Sequence, residues 1–427
     1  MTDTTRQDGD WAALDARYLW HPYTQHATAP LPVPIVRAEG AHLHTADGRT
    51  LIDAISSWWV TLHGHAQPAI AQAIADQART LDQVIFAGCT HEPAARLAAE
   101  LVGVLPPGLT RVFLSDDGST AVEVAIKAAM QYWTNQGEHR PLIAALEHAY
   151  HGDTFGAMRV SARSVFTAAF DDQLGEVARL PDPSEGDTVG AVRALIDQRG
   201  SALAALIVEP LLLGAGGMRV WPEHVLRALA EICAKARVLL IADEVLTGFG
   251  RTGPLFACAR AGIAPDLMCL SKGITGGSLP LGATVVSERV FEAFRSTDRR
   301  RTLFHGHSYT ANPIACAAAR ASLALLDAES AQRREAIEGA HRAHMERLAT
   351  HPRVRAPRVL GTVAAFDLDG EDGYLSSVGG ELTAFAFRNG VLLRPLGNVV
   401  YVLPPFCTTL DELATIYRVI ERFLEWR

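Results

Sequence analysis

Apolar residues in the middle of the chain come in short unbroken runs, each stopping at a polar or charged residue. Arg111–Ser115, Leu142–Leu146, Leu203–Val208, Val238–Ala242 and Asp266–Leu270 have this form. Unbroken runs, rather than alternating ones, suit strands buried on both faces of a parallel sheet. The runs ending at Ser115, Glu209, Asp243 and Ser271 each lead through polar residues toward a helical pattern, which predicts a parallel, doubly wound α/β sheet. Helical spacing marks Gln67–Gln77, Glu92–Val104, Ala121–Trp133 and a stretch from Pro313 to about Asp327 capped by Asn312. Leu281–Ser287 follows Lys272 too closely for a crossover helix, so it is expected to pair antiparallel.

The two ends of the chain read differently. A polar tail and a short helix ending near Trp20 precede Val33–Ile55, whose short alternating runs and Asp47-Gly48 turn predict a hairpin or small meander. Ser56-Ser57-Trp58-Trp59 follows. On extended chain its two indoles would face opposite ways, one in the core and one toward a pocket, although both in the core is equally compatible. Residues 330–350 form a charged amphipathic pattern, Val354–Leu368 alternates as strands, and Phe385–Leu393 continues that pattern. Leu410–Trp426 closes the chain as a helix. We expect a smaller α+β domain built from residues 1–65 and 321–427 around a large domain of residues 66–320.

Charge and composition narrow the chemistry. The 427 residues carry a formal net charge of -8 with no basic run, which argues against nucleic-acid or anionic-membrane partners. The six cysteines are scattered, without Cys-x-x-Cys, and the first ten residues lack the apolar core of a signal peptide; both fit a reducing, cytoplasmic setting. His63-x-His65 and His305-x-His307 lack acidic or cysteine partners at ligand spacing, so no metal is expected.

Two strand ends hold the strongest chemical signal. One central run delivers Asp243 and the next delivers Ser271-Lys272-Gly273, at the sheet edge where open α/β folds bind ligands. Taken singly, Asp243 could cap a turn and Lys272 could reach for solvent. Together they suit pyridoxal phosphate, whose aldehyde needs a lysine amine and whose ring nitrogen needs a carboxylate. The strand–Gly118-Ser119-Thr120–helix passage is a weaker signal for a phosphate cradle, since simple caps look alike. Tyr150 arrives at a strand end before Gly152, placed to stack on a flat ring.

The block Ile241-Ala-Asp-Glu-Val-Leu-Thr-Gly-Phe-Gly-Arg-Thr-Gly, with Lys272 29 residues after Asp243, resembles the class III, fold-type I pyridoxal-phosphate aminotransferases along nearly the whole chain. Trp20-His-Pro-Tyr23, Ser56-Ser-Trp58-Trp59, Tyr150-His-Gly-Asp-Thr-Phe-Gly-Ala-Met and Arg394-Pro-Leu-Gly-Asn-Val-Val-Tyr401 are similar to the branch serving biotin synthesis. They differ from the ornithine, acetylornithine and 4-aminobutyrate branches. The resemblance implies a large domain with a mainly parallel sheet of seven strands. It also implies a homodimer that converts 8-amino-7-oxononanoate to 7,8-diaminononanoate. S-adenosylmethionine is the expected donor, because Tyr23, Trp58 and Tyr150 offer faces for an adenine and a sulfonium; some members use lysine. Another ω-amino acid aminotransferase, or an aminomutase on the same scaffold, stays open at this stage.

By position, the resemblance makes Lys272 the Schiff-base lysine and Asp243 the partner of the ring nitrogen. Tyr150 would cover the ring. Gly118, Ser119 and the partner's Ser308, with His307 beside it, would hold the phosphate. Tyr23, Trp58, Gly306, Arg394 and Tyr401 would line the substrate pocket, Arg394 forking onto a carboxylate. Two departures stand out. Asp117 occupies a place where serine is commoner, so its carboxylate should point away from the phosphate. His307-Ser308 stands where Pro-Thr also occurs. Arg251 could either bind substrate or brace the loop.

Overall fold

A computed structural model describes residues 11–370 and 373–426; the polar tail expected at residues 1–10 lies outside the described residues. Seven strands make the central sheet: β1 (Leu109–Ser115), β2 (Leu142–Leu146), β3 (Ala178–Leu180), β4 (Leu203–Val208), β5 (Leu239–Asp243), β6 (Leu267–Leu270) and β7 (Gly282–Ser287). Their order is β1-β7-β6-β5-β4-β2-β3. β2 to β6 run parallel where they pair, and β7 pairs antiparallel with both β6 and β1.

Every residue of β2, β4, β5 and β6 is buried. Alternate side chains of these strands pack to opposite sides. Leu239 and Ile241 meet the helix Gly118–Asn135, whereas Leu240 packs with Leu226 and Leu229 of the helix Glu223–Ala236. Burial on both faces explains the missing alternation in the sequence. The register sets Ala242 beside Val208 and Asp243 beside Cys269. The residues that follow β4, β5 and β6 therefore emerge at neighbouring places on one sheet edge.

Outside this sheet, Ile35–Glu39, His42–Thr45 and Thr50–Asp53 form the expected meander. Its last strand pairs in parallel with Val391–Leu392, which joins the two ends of the chain in one sheet. A second small sheet contains Val354–Leu360, Val363–Leu368 and Val399–Val402. No helix among the described residues is long and apolar enough to cross a membrane.

Several expectations need correcting. β5 and β6 are not followed by long helices: a five-residue helix, Ala257–Ala261, and one 3-10 turn, Lys272–Thr275, take their places. Phe385–Leu393 does not continue the strands; Val378–Arg388 is a helix and only Val391–Leu392 is extended. The run of apolar residues there packs on the closing helix, with Phe385 against Phe423, a tertiary contact that alternation does not reveal. Ser56–Trp59 is not extended chain. Ser56, Ser57 and Trp59 all have positive φ, a strained turn that sequence propensity disfavours.

Candidate active site

The edge where β4, β5 and β6 end borders a cavity of about 420 Å³ lined by Glu209, Asp243 and Lys272, with Trp59, Tyr150, His151, Gly118 and Ser119 also in its wall. Lys272 sits in the left-handed region, φ 44°, directly after β6. Its ammonium nitrogen lies 4.8 Å from the centre of the Trp59 ring, and it has no hydrogen-bond or ion-pair partner among the described residues. Burial lowers the proton affinity of the amine, and the Asp243 and Glu209 charges oppose that shift. The result is a lysine held ready as a nucleophile.

Asp243 ends β5 and is 4 % exposed. His151 Nδ1 lies 2.6 Å from its Oδ2, and the Val245 N–H donates to its Oδ1 at 3.1 Å. Both oxygens are thus held, with lone pairs left to face the cavity. His151 is buried, and its Nε2 has no hydrogen-bond partner among the described residues.

At the other end of the cavity, Asp117 caps the helix Gly118–Asn135. Its side chain accepts from the Thr120 N–H at 2.8 Å. That capping box turns the unexpected carboxylate onto the helix's third residue and leaves the Gly118 and Ser119 N–H groups without partners among the described residues. Unpartnered N–H groups at the start of an 18-residue helix form a ready anion site. The neighbouring loop must come close: at Gly152, with φ +126°, a Cβ would lie 2.1 Å from Ser119 Oγ.

Tyr150 stands between this cavity and a second, larger one of about 830 Å³, sharing both walls with Gly152. Its hydroxyl lies 3.3 Å from that of Tyr23, which donates to Asp153. Burial holds the Tyr150 phenol above its ordinary range, and burial together with the Asp153 bond pushes Tyr23 up to about 12. Tyr23 packs edge-on to Trp58 at 5.5 Å, and the Arg394 guanidinium lies 4.4 Å from the centre of the Trp58 ring. Arg394 has no carboxylate partner among the described residues. Tyr401 is buried and accepts the Trp59 indole N–H at 3.0 Å.

The structure therefore gathers Lys272, Asp243, Tyr150, Gly118 and Ser119 at one cavity and clusters Tyr23, Trp58 and Arg394 beside it. Trp58 is 40 % exposed and Trp59 4 %, so it is Trp59 that lines the cavity, braced by Tyr401. Gly306, His307 and Ser308 lie outside both cavity walls of their own chain. The Ser308 carbonyl accepts from Gln83 Nε2 at 2.6 Å, and His307 Nε2 lies 3.6 Å from Asp116 Oδ1. Arg251 is buried and donates to the Pro404 and Thr61 carbonyls, so it braces the loop; burial lowers its guanidinium to about 9.

Sequence reasoning missed His151, Asp153 and Glu209. Glu209 carried the same signal that revealed Asp243, a charge that ends an apolar run. It is 5 % exposed and accepts the Tyr150 N–H at 2.8 Å and the Gly214 N–H at 3.0 Å. Burial pushes its carboxyl up to about 7, with Asp243 adding to the shift and His151 opposing it.

These residues fit pyridoxal phosphate: an unpartnered amine, a braced carboxylate, free helix N–H groups and an aromatic wall share one cavity of suitable size. Residues 23–424 match the family model described as Aminotransferase class-III. The chain is 53% identical over 419 residues to the adenosylmethionine-8-amino-7-oxononanoate aminotransferase of Synechococcus elongatus, covering 96% of this chain and 98% of that protein. Its fold is similar to the crystal structure of the enzyme of that name from Methanocaldococcus jannaschii, with TM-score 0.91, 32% identity and coverage of 96% and 98%. It is also similar to a PLP-bound amine transaminase from an uncultivated Pseudomonas species, with TM-score 0.89, 31% identity and coverage of 95% and 97%.

Proposed function

The chain belongs to the class III aminotransferases, and on that footing we propose that it aminates 8-amino-7-oxononanoate to 7,8-diaminononanoate in biotin biosynthesis, with S-adenosylmethionine as donor. One observation carries the reading. The unpaired Lys272 amine, the braced Asp243 carboxylate and the free N–H groups of Gly118 and Ser119 line a single cavity.

Pyridoxal phosphate, when bound, supplies an electrophilic carbon for the amino group and an electron sink for the substrate carbon that loses its proton. Lys272 would hold the cofactor covalently and would move a proton at that carbon, because burial disfavours the charged form of its amine. Asp243, oriented by His151, would keep the ring nitrogen protonated. Gly118 and Ser119, with Ser308 of the partner subunit, hold the phosphate. Tyr150, in the cavity wall, would cover one face of the ring.

Arg394, without a carboxylate partner among the described residues, would fork onto the carboxylate of the keto acid, while Tyr23, Trp58, Tyr401 and Gly306 would line its path. The same aromatic faces serve the adenine and sulfonium of the donor. A homodimer in the cytoplasm completes the reading.

Separate half-reactions test it. S-adenosylmethionine should bleach the visible band of the loaded enzyme. Then 8-amino-7-oxononanoate should restore the band and yield 7,8-diaminononanoate in equal amount. If lysine bleaches the enzyme and S-adenosylmethionine does not, the donor is wrong. No response to 8-amino-7-oxononanoate overturns the function.

A further inference from the structure

Glu209 is a buried titratable group that the reaction above leaves without a task. It follows β4 as Asp243 ends β5 and Lys272 follows β6, and the three line one cavity. Its Oε1 accepts the N–H of Tyr150, the wall of the ring site, and its Oε2 accepts that of Gly214. A Cβ at Gly214 would lie 3.6 Å from the Trp59 ring and 2.3 Å from Leu246, so the Gly214 turn supports the opposite wall. One carboxylate thereby sets the spacing of two loops. Satisfying two N–H groups does not in itself call for a charge. A carboxylate buried beside a second carboxylate is costly unless a cation offsets it. Lys272 is the cation that shares its cavity, with the His151 ring also in the wall; Asp243 is the other anion, and the Arg251 charge opposes a charged Lys272.

We propose, building on the aminotransferase reading, that Glu209 is a positioning residue of this reaction: it clamps Tyr150 and the Gly214 turn, and its charge offsets part of what burial costs the charged Lys272 nitrogen. The two roles are coupled. When the Lys272 nitrogen loses its charge, the two carboxylates are no longer offset, and Glu209 is the one poised to become neutral, since its carboxyl already lies at about 7.

The test uses the cofactor-loaded protein and reads the visible chromophore of its lysine-linked pyridoxal phosphate against pH. Glu209→Gln removes the charge and keeps one acceptor. Its chromophore midpoint should fall by about one pH unit, roughly tenfold in proton affinity, the lower end of what one opposite charge gives. Glu209→Asp keeps the charge on a shorter stem. Its midpoint should stay near that of wild type, while the circular dichroism of the bound cofactor weakens because Tyr150 has lost its anchor. An unchanged midpoint in Glu209→Gln overturns the proposal.

Should Glu209→Gln not fold, infrared spectra of 13C-glutamate-labelled wild type decide. A carboxyl band that titrates near neutrality and shifts with the label should be present, and should lose its isotope shift in Glu209→Asp. Absence of that band in wild type overturns the proposal equally. A wild type that takes up no pyridoxal phosphate would instead overturn the aminotransferase reading itself.

Discussion

His151 places its Nδ1 2.6 Å from Asp243 Oδ2, and both side chains are buried. Because Asp243 also accepts from the Val245 N–H, the imidazole fixes which way the remaining lone pairs point. A hydrogen bond to a charged group contributes about 1.5–3 kcal/mol. His151→Phe, which fills the space without the bond, should therefore lower the single-turnover rate on the order of ten- to a hundredfold. A rate within twofold of wild type would reduce His151 to packing.

Asp243→Asn removes the charge at the floor of the cavity while keeping its shape. The protein should still take up pyridoxal phosphate, and kcat should fall by roughly 10²–10³, as for loss of one preorganised electrostatic partner. Stopped-flow comparison of both half-reactions reads this directly. A loss of only a few-fold would remove Asp243 from the ring nitrogen.

Arg394 is stacked on Trp58 with no anionic partner among the described residues. Arg394→Ala should cost roughly ten- to a hundredfold in kcat/KM for 8-amino-7-oxononanoate. The donor half-reaction should suffer less, provided the donor carboxylate docks elsewhere. Equal losses in both would mean that Arg394 serves both substrates or only the fold.

His341 should make stability fall toward acid pH. Its Nε2 faces the Thr362 carbonyl at 3.2 Å and must donate, so Nδ1 accepts from the Tyr417 hydroxyl at 2.6 Å and the buried ring is neutral. Burial lowers it to about 3 from 6.5. A depressed value means that the unfolded chain takes up the proton first. The stability contributed is full above pH 6.5 and is lost as pH falls toward 3, on the order of 5 kcal/mol over that window. His63, lowered to about 4, adds a slope of the same sign. The Tm should fall between pH 7 and 4, less steeply in His341→Gln. Parallel curves for the two proteins would contradict this.

What could be read from the chain follows from physics of different range. Asp243 and Lys272 were legible because a charge ending a strand buried on both faces is a local pattern. Glu209 carries that pattern too, yet only the fold reveals that it grips Tyr150 and Gly214 from a distance in sequence. His151 belongs to a loop, where nothing local marks a buried ring against Asp243. The Ser56–Trp59 turn defeats an alternation argument because three residues there adopt positive φ, strain that the surrounding packing imposes. β3, at three residues, is too short for any periodicity to show, and Phe385–Leu393 reads as strand because Phe385 and Phe387 alternate locally, although Phe385–Arg388 ends a helix.

Lys272 is the residue on which the whole reading turns. Borohydride reduction of the loaded protein, followed by proteolysis and peptide mapping, tests it most directly. The reduced pyridoxal label should be found on Lys272 alone, and Lys272→Ala should bind no label covalently and show no turnover. A label on any other lysine, or turnover retained in Lys272→Ala, would contradict the assignment of this cavity as the aminotransferase centre.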